Sequence, residues 1–170
     1  MSRNEVRAGF EQQEEKEYGS GSGETDAEGR YELLVPRGAY TVTAGGWRQE
    51  FREGSPIYAE ARVPGLVVTE NGHLHDVDLQ LEEGGILEGI VRNADGSPAP
   101  RAMLWFEGET QEVEVMLGPS DEGGHFRFCG VTVGKHLVSG YGRTGGVRDP
   151  ARVEIVAGGT QRIELVLVGK

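Results

Sequence analysis

The sequence predicts an all-β chain made of two tandem β-sandwich units, the first of them incomplete, and three observations carry that expectation. Glycine fills 28 of the 170 positions beside 36 % hydrophobic residues, a composition that favours many short strands over long helices. Apolar residues alternate with polar ones at period two, and Gly, Pro, Asn and Asp punctuate them at the spacing of about eight to twelve residues typical of a sandwich. The chain also repeats itself: "TDAEGRYELLVPRGAY", residues 25 to 40, is answered by "SDEGGHFRFCGVTVGKH", residues 120 to 136.

The repeat sets the element order. Asp26, Gly29 and Tyr31 recur as Asp121, Gly124 and Phe126, each 95 positions later, and Gly38 recurs as Gly134, 96 later. At the ends of the copies the offset is 86, where Gly72, Val77, Leu79 and Leu81 meet Gly158, Ile163, Leu165 and Leu167. The first unit, 1–83, thus reads as a strand at "VRAGF", an acidic loop over 11–24, a turn at "TDAEG", a strand, a turn at "PRG", a strand at "AYTVTA", a long loop and a closing strand at "VDLQL". The second unit, 84–170, reads as a strand at "GGILEGIV", a turn at "NADGSPAP", a strand at "RAMLWF", the same turn and strands again, and a closing "IELVL". The counterpart of Ile86 would precede Met1, so the first unit lacks an opening strand.

An absent strand leaves its neighbour with unpaired backbone groups. The expected open edge lies beside "VRAGF", Val6 to Phe10, to be covered by a homodimeric or added strand, by a repacked N-terminal segment, or by upstream sequence. The atypical end also suits the truncated or capped end of a longer array.

Bulk properties narrow the partners. The net charge is −11 with only three lysines, which argues against nucleic acid, because phosphate binding needs clustered cations. Residues 1 to 83 hold 17 acidic and 8 basic groups, against 11 and 9 in residues 84 to 170; much of the excess is "EQQEEKE", a solvated run. No stretch of about 18 apolar residues suits membrane insertion, and the charged first twenty residues do not read as a signal peptide. The single cysteine, Cys129, excludes an internal disulfide and reads as buried filling.

The order "LEGIVRNADGSPAPRAMLWF", "SDEGGHFRFCGVTVGKHLVSGYG", "VEIVAGGTQRIELVLV" resembles the carboxypeptidase regulatory-like domain, a transthyretin-like (prealbumin-like) Greek-key β-sandwich. The second copy matches along nearly its whole length and the first from Thr25 to Leu81. "VTVGKH" departs by lacking the proline and tyrosine usual in that turn, and "NADGSPAP" is slightly long. The resemblance implies a stalk, spacer or accessory module of a bacterial protein outside the cytoplasm, or the regulatory tail of a metallopeptidase. Related folds bind carbohydrate, and fold by itself does not fix function.

No catalytic residue is expected. The serines lie in Gly/Pro loops without a nucleophile elbow, and no zinc-protease motif is present. The chain ends "VLVGK" without the Tyr-Arg-Gly-Ser signature of the hydroxyisourate hydrolases in this fold. An isopeptide bond, as in similar-looking pilin domains, would need a buried lysine and a final-strand Asn, whereas Lys135 reads as a turn residue and "RIELVLV" has no Asn. No cofactor is expected. The acidic turns offer two or three oxygens, too few for an EF-hand-like calcium loop, and suit β-turns. His73 and His75, two apart, share a strand face with Val77, Leu79 and Leu81; they are weak zinc candidates that lack a third ligand, or rim histidines. The loop over 45–65 is the main difference between the copies. In it Trp47, Phe51 and Tyr58 could stack on a sugar with Arg48 and Arg52 donating hydrogen bonds, or the rings could cover the sandwich edge. A protein or carbohydrate partner follows.

Overall fold

A computed structural model of the chain describes residues 5–10, 21–46, 57–108 and 114–169. Among them every regular element is a strand, and the chain divides into two compact units.

In the first unit β1 (Glu5–Phe10), β2 (Gly21–Glu24), β3 (Gly38–Ala44) and β4 (Ala61–Val68) form one antiparallel sheet in the order β2-β1-β3-β4. Alternation sends every second side chain inward, so Val6, Ala8, Tyr40, Val42 and Ala44 make a buried core. Two extended segments lie over it, 31–35 and 77–81. Tyr31, Leu33, Val35, Leu79 and Leu81 pack on the core but stay only partly buried.

The second unit contains β5 (Gly85–Asn93), β6 (Met103–Gly108), β7 (Glu114–Pro119), β8 (His125–Val131), β9 (Gly134–Gly142), β10 (Gly145–Val147), β11 (Ala151–Ile155) and β12 (Thr160–Val168). One layer runs β7-β6-β9-β11 and the other β8-β5-β12, with β10 paired to both β9 and β12. The chain crosses between layers, which brings its opening strand β5 parallel to its closing strand β12, Gly89 opposite Ile163, while β8 runs antiparallel on the other side. Leu87, Val91, Leu104, Leu117, Phe128 and Val138 are fully buried between the layers, each removal from water being worth about 1.5–3 kcal/mol. Cys129 is buried, as its setting in "FRFCG" implies.

Comparison of the units corrects the expected open edge. The sheet β2-β1-β3-β4 corresponds strand for strand to β7-β6-β9-β11, and β1 is paired on both sides, to β2 from Glu5 to Ala8 and to β3 from Val6 to Phe10. β1 therefore lies between β2 and β3 and is not the open dimer edge expected at Val6 to Phe10. Strands consecutive in sequence are not neighbours in this sheet: the opening strand β5 pairs with β8 and β12, not with β6. The segments equivalent to β8 and β12 in the first unit are 31–35 and 77–81. Neither carries a ladder, and no strand among the described residues stands in the place of β5.

Other boundaries differ too. Residues 21–24 of the acidic loop form β2, and 61–65 of the long loop belong to β4, because Ala61 to Val68 must pair with β3 as β11 pairs with β9. Residues 57–59 lie with the second unit, where the Gly84 amide donates to the Ile57 carbonyl at 2.9 Å and Tyr58 bridges Glu83. Lys135 lies exposed on β9 opposite Glu154 and not in a turn.

Candidate functional site

The acidic turns use their carboxylates on their own backbone. Asp26 Oδ1 accepts the amides of Glu28 at 3.0 Å and Arg30 at 2.8 Å. Asp121 Oδ1 repeats this with Gly123 at 2.9 Å and His125 at 2.7 Å. Gly29 and Gly124 take φ of 83° and 77°, which a side chain would resist. Asp95 accepts from the Ser97 amide and hydroxyl, and the Ser97 side-chain bond, the larger cause, together with the backbone bond holds its carboxyl below the ordinary value of 3.8. Since that folded pKa is depressed, its stabilisation is present above pH 3.8 and is lost as pH falls through the folded value. Asp121→Ala removes two turn hydrogen bonds and should lower stability by about 1–3 kcal/mol in urea denaturation; an unchanged midpoint would mean that the carboxylate serves something other than the turn.

His73 and His75 are both exposed, with ring centroids 6.3 Å apart and stacked. Asp76 takes a left-handed φ of 58°, so the alternation breaks there and the imidazoles do not share the face of Val77, Leu79 and Leu81. Among the described residues no third His, Cys, Asp or Glu joins them in a metal-binding group. Of the loop residues, Tyr58 is half-buried; Trp47, Arg48, Phe51 and Arg52 lie outside the described residues.

The feature that sets the units apart is the layer over the first core, where no strand among the described residues stands in the place of β5. Phe126 and Phe128 are buried in the second unit, but their counterparts Tyr31 and Leu33 are only partly so; Leu165 and Leu167 are buried, but Leu79 and Leu81 are not. Among the described residues of the first unit no strand stands where β5 carries Leu87 and Val91. No backbone hydrogen bond of 31–35 or 77–81 is found among the described residues. One polar contact links the two segments, the Tyr31 hydroxyl donating to the Val77 carbonyl at 2.6 Å. In the second unit the equivalent carbonyl, that of Ile163, lies against Gly89 of β5. Tyr31 therefore serves a carbonyl that faces a neighbouring strand in the complete unit. Sequence reading missed Tyr31, Leu33, Val77 and Leu79 as site residues. Their signal was the pairing of first and last strands, which the repeat alone does not reveal.

Burial, and then the Asp78 carboxylate, push the Tyr31 phenol above its usual 10.0, and burial does the same to Tyr40. A raised folded pKa gives stability that is complete below pH 10 and declines as pH rises through the folded value. Tyr31→Phe should cost about 0.5–1.5 kcal/mol at neutral pH and flatten part of the alkaline loss. Urea midpoints at pH 8 and 11 that fall in parallel for both proteins would refute a role for the phenol.

Neither a protein-family model nor a curated protein matches the chain. Among solved structures it is similar to GBS52, the minor pilin of Streptococcus agalactiae, at 12 % identity and a TM-score of 0.42, covering 99 % of this chain and 84 % of that one. BcpA, the major pilin subunit of Bacillus cereus, gives 12 % and 0.42, with coverage of 98 % and 60 %. A streptococcal ancillary pilin gives 14 % and 0.36, with 99 % and 58 %. At these scores the likeness carries nothing about role, and the all-β architecture rests on the strand pairing itself.

Proposed function

We propose that the chain is a non-enzymatic accessory or stalk module, built from two transthyretin-like sandwiches of the carboxypeptidase regulatory-like kind, that recognises another protein through its first unit. The observation that supports this reading is the contrast between the units: among the described residues one layer of the first has no strand in the place of β5, while the second has that strand paired on both sides. The resemblance also supports placing the module outside the cytoplasm. No helix among the described residues is long and apolar enough to cross a membrane.

A photo-crosslinking residue placed at Leu34, which is 86 % exposed on the 31–35 segment, and in a second protein at Val156, 62 % exposed on the finished unit, tests the reading in the source cells. Discrete protein adducts from Leu34 and none from Val156 are expected. Equal labelling from both, or saturable oligosaccharide binding that Tyr58→Ala abolishes, would replace it with a non-specific or a carbohydrate-binding role.

A further inference from the structure

The second unit shows what the first unit's layer accepts, since β5 sits between β8 and β12 as a strand would sit between 31–35 and 77–81. Three requirements can be read from β5. Leu87 and Val91 point into the core and are fully buried, so apolar side chains are needed at those two positions. Between them Gly89 is obligatory: a Cβ there would stand 1.9 Å from the Ile163 carbonyl oxygen and 2.8 Å from the Phe126 ring. In the first unit the same place is bounded by the Val77 carbonyl and the Tyr31 ring, joined by a hydrogen bond.

The third requirement is charge, and here the units differ. On the outer face of β5, Glu88 bridges Arg127 at 3.2 Å and Arg162 at 2.6 Å, and Arg92 bridges Glu164 at 3.4 Å. By the repeat offsets Arg127 corresponds to Glu32 and Glu164 to Asp78; Asp76, at the offset of Arg162, takes a left-handed φ and is not held on that face by the alternation. The first unit thus presents two carboxylates where the second presents one guanidinium and one carboxylate. Both are exposed, and neither has an ion-pair partner among the described residues. Like charges facing across a ladder are destabilising and opposite ones favourable.

We infer that the first unit is an acceptor for an extended strand of another polypeptide, parallel to 77–81 and antiparallel to 31–35, of the form apolar, Lys or Arg, Gly, any residue, apolar, Lys or Arg. The inference rests on the interaction-module reading and names the chemistry of its partner. Strand addition of this type gains main-chain hydrogen bonds along both walls, and alternate side chains supply selectivity. A second copy offering its own β5 does not fit, because Glu88 would meet Glu32.

The test uses the full chain and three soluble-tailed peptides: residues 84–93 as they stand, the same with E88K, and the E88K peptide with G89V. The E88K peptide should bind saturably, about fivefold tighter than the unaltered one in low salt, given one surface ion pair changing sign, and G89V should abolish binding. Amide exchange should slow over 31–35 and 77–81 and stay unchanged in β5, β8 and β12. Absence of binding, equal affinity of the Lys and Glu peptides, or protection elsewhere would overturn the proposal. So would protection of both segments in the free chain, which would assign the place to the chain itself, or a concentration-dependent dimer dissolved by the E88K peptide, which would assign it to a second copy. Crosslinks from Leu34 without peptide binding would leave the interaction module standing and remove strand addition.

Discussion

Gly89→Ala is expected to destabilise the second unit by about 3 kcal/mol or more, although replacing glycine within a strand ordinarily gains roughly 0.5–1 kcal/mol. The sign is decided by space. The new methyl would fall 1.9 Å from the Ile163 carbonyl oxygen, a backbone atom held in the parallel ladder between β5 and β12. It cannot yield as a flexible side chain would; the two strands must part, and Ile163, Leu165 and Leu167 would lose register with β5. Gly9→Ala is the control, since a Cβ at Gly9 of β1 meets nothing within 4 Å and should leave stability level or slightly raised. Guanidinium denaturation followed at the Trp105 fluorescence of the second unit reads the first. A midpoint for Gly89→Ala within error of the parent would show that β5 and β12 are not tightly paired, and with that the template for strand addition would fall.

Much of this architecture was legible in the sequence because turns are local. The Asp26 and Asp121 turns are fixed by an aspartate and a glycine three residues on, and both copies fold them alike. Alternation likewise runs through "VRAGF", "AYTVTA" and "IELVL", and the structure buries Val6, Ala8, Val42, Leu165 and Leu167 on one face of those strands. What sequence could not supply was lateral order. Period two says which face a residue takes but nothing about which strand lies beside it, and here the first strand of a unit pairs with its last. The repeat alone therefore puts the open place beside β1, whereas among the described residues it lies between 31–35 and 77–81. The same segments were expected as strands: they have the alternation and the half-burial of strands but not the partner that would complete a ladder. Length was misleading in a different way. The excess of residues between 45 and 65 looked like a single loop, whereas β4 takes its last part, because β3 needs an outer neighbour just as β9 does.

A matched pair of substitutions measures how unfinished the first unit is. Leu165→Ala deletes a side chain only 2 % exposed and should cost about 2–5 kcal/mol through lost burial and the cavity left between layers. Leu79→Ala makes the same chemical change at the equivalent position of the first unit, but Leu79 is only partly buried. It should cost about 1–2 kcal/mol, since part of its area already faces water and no closed cavity forms. Residue-resolved amide exchange under mild denaturant separates the two units, which need not unfold together. The difference between the two losses is the packing that an added strand would contribute, so saturating the protein with the E88K peptide should raise the cost of Leu79→Ala toward that of Leu165→Ala and leave the latter where it was. Equal costs in the free chain would mean that the layer over Val6, Ala8 and Val42 is already closed, and that the first unit has no need of a partner.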